Sequence, residues 1–147
     1  MPAKILIVED HTDLRQMLVH MMRTMNYEVI EAETGDKGIK KALAEAPDLI
    51  IMDLWLPGIN GLEATRRLKR NPKTARIPII AHTVDDSDYG EKALAAGMAA
   101  VLIKPSPRHL LKKSIEKFLP PTSQRETVPL QRSNNVPLRH GEVRKYA

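Results

Sequence analysis

Glu9, Asp10, Asp53, Thr83 and Lys104 are the residues of this sequence whose types and spacing could do chemistry together. Each comes at or shortly after the end of a short apolar run, over 4–8, 48–52, 77–81 and 100–103. If those runs are neighbouring parallel strands, three carboxylates, one hydroxyl and one ammonium converge beyond their carboxyl ends, where open parallel sheets gather functional groups. Carboxylates about 4 Å apart repel by about 4 kcal/mol per pair at an effective dielectric near 20. Either one of them takes up a proton or a cation sits among them, and Lys104 supplies only part of the compensating charge. Oxygen donors without His or Cys point to Mg2+, or to a similar ion such as Mn2+. Such an ion would also steady the oxygens of an incoming phosphoryl group, whose transfer rests on positioning and charge neutralisation. Asp53 is then the nucleophile and an aspartyl phosphate the product.

The elements that must position these residues follow from the pattern. The first run, 4–8, is apolar throughout, as in a strand buried on both faces. Leu14, Met17, Leu18, Met21, Met22 and Met25 then recur at helical spacing, so one stripe faces a core. Further strands are predicted over 27–32, 48–52, 77–81 and 100–103. Further helices are predicted over 35–46, 61–70, 87–96 and 107–119, with Gly97 as a left-handed cap and Pro107 at a first turn. Five β-α units in succession imply an α/β fold with a parallel sheet covered on both faces.

Composition divides the chain in two. Residues 1–119 are rich in Ile, Leu, Val, Met and Ala, enough for one hydrophobic core. Residues 120–147 carry four prolines and little apolar periodicity, and are expected to form a mobile tail. Much of the net charge of +5 belongs to that tail, where Arg125, Arg132, Arg139, Arg144 and Lys145 face only Glu126 and Glu142. A basic tail can touch nucleic acid, membrane or an acidic partner, although a solubilising extension is the simpler reading. There is no cysteine, hence no disulfide framework or thiolate chemistry. The amino terminus lacks the features of a signal peptide and no apolar run approaches the roughly 20 residues of a membrane span, so a cytoplasmic protein is expected.

Together these residues resemble the receiver domain of two-component response regulators, specifically a chemotaxis-type single-domain regulator. The family places an acidic pair after the first strand, here Glu9-Asp10. An Asp follows the third strand, with a Pro-containing loop and Gly, here Asp53 through Pro57-Gly58 to Gly61. A Thr or Ser and a Lys-Pro follow, here Thr83 and Lys104-Pro105. The resemblance covers about residues 3–119. It implies a doubly wound, flavodoxin-like (βα)5 sheet of order 2-1-3-4-5. It implies that Asp53 accepts a phosphoryl group from a phosphohistidine of a sensor histidine kinase or histidine phosphotransfer protein. Asp10, Asp53 and the backbone carbonyl of Trp55 would bind Mg2+, with Glu9 helping through water. Thr83 would bond a phosphoryl oxygen and move on modification, Lys104 would pair with the phosphoryl group, and the Lys104–Pro105 bond would be cis. Beyond Mg2+-assisted self-phosphorylation and slow autodephosphorylation, no enzymatic turnover is implied. The sequence offers no DNA-binding domain after Leu119, so output is expected through contacts of residues 87–119 with a downstream protein, or by passing phosphate onward in a phosphorelay.

The chain departs from the family pattern at Val101, Val84 and Trp55. Val101 replaces the aromatic half of the usual switch, and Phe118, the only Phe, is no nearby substitute. Output is then expected to rest on Thr83 and backbone movement. Val84 stands where a small residue normally leaves room for the phosphoryl group, and Trp55 where an attacking water would approach, so both are expected to slow hydrolysis of the aspartyl phosphate. Two other readings compete. A phosphatase with an aspartate nucleophile carries a second Asp two positions on, where this chain has Trp55. A pseudo-receiver, binding protein without phosphorylation, suits the departures but would gain nothing from mutually repelling carboxylates.

Residues outside the constellation have plainer readings. Glu9-Asp10, Thr12 or Asp13 could cap the first helix, and the methionines of that helix are expected in the core rather than on a binding face. His11, His20, His82, His109 and His140 show no metal spacing and are expected on surfaces or loops, with His11 able to perturb the acidic site. Arg66, Arg67, Lys69, Arg70, Lys73 and Arg76 form the densest basic patch, read as a solvated helix face rather than a nucleic-acid surface.

Overall fold

The computed structural model describes residues 2–84 and 88–119. The expectations for the tail 120–147 and for Ser87 lie outside the described residues. Five strands, β1 (Lys4–Val8), β2 (Glu28–Ala32), β3 (Leu49–Met52), β4 (Ile79–Thr83) and β5 (Ala100–Ile103), alternate with five helices. The helices are α1 (Thr12–Thr24), α2 (Gly35–Glu45), α3 (Gly61–Arg70), α4 (Tyr89–Ala96) and α5 (Arg108–Phe118). The sheet is parallel throughout and ordered β2-β1-β3-β4-β5, as the resemblance implied.

The apolar runs are continuous because each strand feeds two cores. Leu6, Val8, Ile50, Met52, Ile79 and Ala81 pack with Leu62, Leu68 and Ala93 under α2, α3 and α4. Ile5, Ile7, Leu49, Ile51 and Ile80 face the other way, against Leu18, Met22, Leu111 and Ile115 of α1 and α5. Lys104–Pro105 is cis, and Gly97 caps α4 with φ +113°, both as expected.

Boundaries move where backbone groups find partners outside the sheet. The fourth strand runs to Thr83 and not over 77–81. Ile77 donates its amide to the Thr74 carbonyl and its own carbonyl accepts from Lys69 Nζ at 2.7 Å, so it belongs to the preceding turn. Tyr27 donates its amide to Met22 and closes α1, so β2 begins one residue later than expected. Asp48 bonds Lys4 through amide and carboxylate ahead of β3. Ala46 turns left-handed (φ 48°) before Pro47 and caps α2. Pro107 and Leu119 are the caps of α5, not members of it.

Candidate functional site

The ladders continue one residue past the strand ends, and this brings the acidic groups together. Glu9 donates its amide to Ala32 at 3.0 Å, and Asp53 donates its own to Val8 at 3.0 Å. Lys104, after β5, donates its amide to the Thr83 carbonyl at 2.7 Å. Glu9, Asp10, Asp53, Thr83 and Lys104 thus lie at the carboxyl edge of adjacent strands, as the sequence suggested.

Carboxylate oxygens of Glu9, Asp10 and Asp53 lie within 4.8 Å of one another. Glu9 is only 2% exposed and Asp53 is also buried, whereas Asp10 faces solvent. Lys104 Nζ reaches between two of them, 2.6 Å from Glu9 Oε1 and 3.2 Å from Asp53 Oδ2. The second oxygens are held by backbone: the Trp55 amide donates to Asp53 Oδ1 at 3.1 Å and the His11 amide to Glu9 Oε2 at 3.1 Å. Burial raises the Glu9 carboxyl above its ordinary value, opposed by the bond from Lys104. One ammonium among three carboxylates leaves a deficit of positive charge, and the donors are all hard oxygens. That donor set fits Mg2+ or Mn2+.

Thr83 ends β4 fully buried, and its Oγ1 has no hydrogen-bond partner. An unpaired buried hydroxyl is uncommon and here is available to an added acceptor. Below the cluster, Gly61 opens α3 against the end of β3: a Cβ there would lie 2.2 Å from the Asp53 carbonyl oxygen. Only glycine lets the helix approach this closely. Asn60 caps the helix by accepting from the Glu63 amide at 2.9 Å.

The departures from the pattern have distinct surroundings. Val101 pairs with Ala81 in the sheet and packs, partly buried, against the core under α2, α3 and α4. Val84 is 64% exposed and Trp55 is 48% exposed. Tyr89, at the start of α4, stands edge-on to the Trp55 ring at 4.6 Å, with Lys92 Nζ 4.9 Å from the Tyr89 centroid. Tyr89 thus packs on Trp55, a contact that no spacing in the sequence marks.

Two more readings change. His82 is no surface or loop residue: it lies in β4, 2% exposed, with neither ring nitrogen bonded. Burial, with some help from the Lys104 charge, lowers its pKa to about 4, so the ring is neutral. His11 is the N-cap of α1, accepting from the Leu14 amide at 3.4 Å, a role expected of the neighbouring polar residues. Within the basic patch, Arg66, Arg67, Arg70, Lys73 and Arg76 are solvated. Lys69 instead is partly buried on the carbonyls of Ala75 and Ile77, with burial lowering its pKa to about 8.

Residues 5–116 match the family model for the response regulator receiver domain. The chain belongs to this family. PilH of Pseudomonas aeruginosa is 35% identical over 121 residues, covering 80% of this chain and 98% of PilH. The chemotaxis response regulator CheY4 of Vibrio cholerae has a solved structure that superposes with a TM-score of 0.77 at 29% identity, covering 81% of this chain and 100% of CheY4. The receiver domain of the sensor histidine kinase PA1611 of P. aeruginosa PAO1, solved with a magnesium ion coordinated in its active-site cleft, superposes at 0.76 with 31% identity, covering 80% of this chain and 98% of that domain. Among the described residues of this receiver no helix is long and apolar enough to cross a membrane.

Proposed function

We propose that this receiver accepts a phosphoryl group on Asp53 from a phosphohistidine of a sensor histidine kinase or phosphotransfer protein, and signals by protein contacts within a phosphorelay. The observation that carries the reading is the placement of Lys104 between Glu9 and Asp53, with Asp10 beside them. Asp53 Oδ2 attacks phosphorus as the bond to the donor imidazole nitrogen breaks, and that nitrogen keeps the electron pair. Lys104 then exchanges its contact with Asp53 for one with a phosphoryl oxygen, and the free Thr83 hydroxyl donates to another. Asp10, Asp53 and the Trp55 carbonyl would hold Mg2+ or Mn2+, with Glu9 acting through water; bound there, the ion neutralises charge on the phosphoryl oxygens.

Two further features support a signalling part over a hydrolytic one. Trp55 occupies the place where an aspartate-based phosphatase would carry its second Asp, so no carboxylate stands there to take the proton of an attacking water. Output is assigned to the face of α4, β5 and α5, where Ile103 and Leu110 are exposed apolar residues. The protein is proposed to work in the cytoplasm.

The experiment is phosphorus NMR of the protein with Mg2+ and acetyl phosphate. A protein-bound resonance that disappears with hydroxylamine, as an acyl phosphate must, supports the reading. A hydroxylamine-resistant resonance would place the phosphate on a hydroxyl or nitrogen and overturn it.

A further inference from the structure

Asp10 is the one carboxylate of the cluster with no hydrogen bond or ion pair of its own among the described residues. Its position must come from the backbone on either side. On one side that backbone is fixed to the β2 edge of the sheet. Glu9 gives its amide to Ala32 at 3.0 Å and its carbonyl accepts from Arg15 Nη1 at 2.9 Å. On the other side, the His11 amide is tied back to Glu9 Oε2.

Arg15 is unusual in itself. It projects from α1 with only 8% exposure, and a guanidinium so buried is costly unless paired. Its Nε meets Glu31 Oε1 of β2 at 3.1 Å, and Gln16 Nε2 donates to the same oxygen at 2.8 Å. The guanidinium therefore spans from a β2 carboxylate to the backbone just before Asp10. Its planar, forked donors suit a link between two acceptors.

We propose that Arg15, oriented by Glu31, is a positioning residue for cation binding: it fixes the Glu9 carbonyl, and through it sets Asp10 where its carboxylate can share an ion with Asp53. The inference rests on the metal reading of the acidic cluster given above. Arg15 touches neither the ion nor the phosphoryl group. Partners that orient metal ligands in this way are worth about 10–100-fold in metal affinity.

The test is Mg2+ titration of the full chain, followed by the fluorescence of Trp55, its only tryptophan, with urea denaturation in EDTA run alongside. The parent should saturate and Asp10→Asn should lose binding. Arg15→Met should bind Mg2+ about 10–100-fold more weakly while folded. Arg15→Lys, able to reach only one of the two acceptors, should fall between them and decides the matter if the Met variant does not fold. An Arg15 that merely stabilises the fold would lower the urea midpoint and leave the Mg2+ affinity of both folded variants at the parent value, which overturns the proposal alone. If the parent itself binds no Mg2+, the metal reading fails and this inference with it.

Discussion

Lys104→Met removes the ammonium that faces Glu9 and Asp53 while keeping much of the side-chain volume. Among the described residues Glu9 is then left nearly fully buried with only the His11 amide as donor, and Asp53 with only the Trp55 amide. Removing one member of a buried charge pair costs about 3–5 kcal/mol. For a domain of this size that corresponds to a fall of about 10–20 °C in melting temperature. Mg2+ should restore much of the loss by returning positive charge to the cluster. Lower pH should do so too, and the sign follows from Glu9. Burial already raises its pKa, and the variant deletes the strongest influence holding it down. A carboxyl whose folded pKa lies above its ordinary value of about 4.3 contributes full stability below that value and loses it as pH rises through the folded one. The deficit relative to the parent should therefore be small near pH 4–5 and large at pH 7–8. Taking the difference at each pH cancels most of the His82 contribution, which runs the other way. The assay is thermal denaturation by circular dichroism across pH 4.5–8, in EDTA and in Mg2+. A deficit below about 1 kcal/mol in EDTA at pH 7, or one that grows on acidification, would refute the reasoning.

Three other outcomes are expected. Gly61→Ala pushes a Cβ to 2.2 Å from the Asp53 carbonyl oxygen, a backbone atom that cannot turn aside, and should cost about 2–3 kcal/mol in urea denaturation. Gly38→Ala meets only the Val8 side chain, at 2.8 Å, and gains helix propensity, so it should lose clearly less; equal losses would contradict the account. His82→Leu deletes two unbonded buried nitrogens and should stabilise by about 1 kcal/mol at pH 7. The gain should widen toward pH 5, because the unfolded imidazole takes up a proton below about 6.5, while the folded one resists to about 4; a gap that does not change with pH would sink the argument. Trp55→Ala, by opening the approach to Asp53 and releasing Tyr89, should shorten the lifetime of the phosphorylated form; decay of the parent within seconds would show that Trp55 does not protect it.

The sheet and the acidic cluster were legible because both rest on local pattern. Uninterrupted apolar runs mark strands covered on two faces, and the polar residue ending each run marks the carboxyl edge. What escaped was long-range or depended on a single side chain. Arg15 shares a stripe with Leu18, Val19 and Met22 at positions i, i+3, i+4 and i+7, but a guanidinium adds nothing to an apolar pattern, so its burial shows only in the packed helix. His82 was expected on a surface or loop because the fourth strand was placed two residues early; in the register observed it falls inside the sheet. Tyr89 meets Trp55 across a fold-level contact between the start of α4 and the loop after β3 that no spacing reports. Gly61 was expected as the first residue of a helix, but only the packed helix shows why a Cβ cannot fit there.

The central claim, that Asp53 takes a phosphoryl group with the help of a divalent ion, is tested most directly by intact mass spectrometry after incubation with acetyl phosphate. The account predicts one added phosphoryl group on the parent in Mg2+, none in EDTA, and none on Asp53→Asn. No gain on the parent in Mg2+, or the same gain on Asp53→Asn, would contradict it and favour a receiver fold that signals by binding alone.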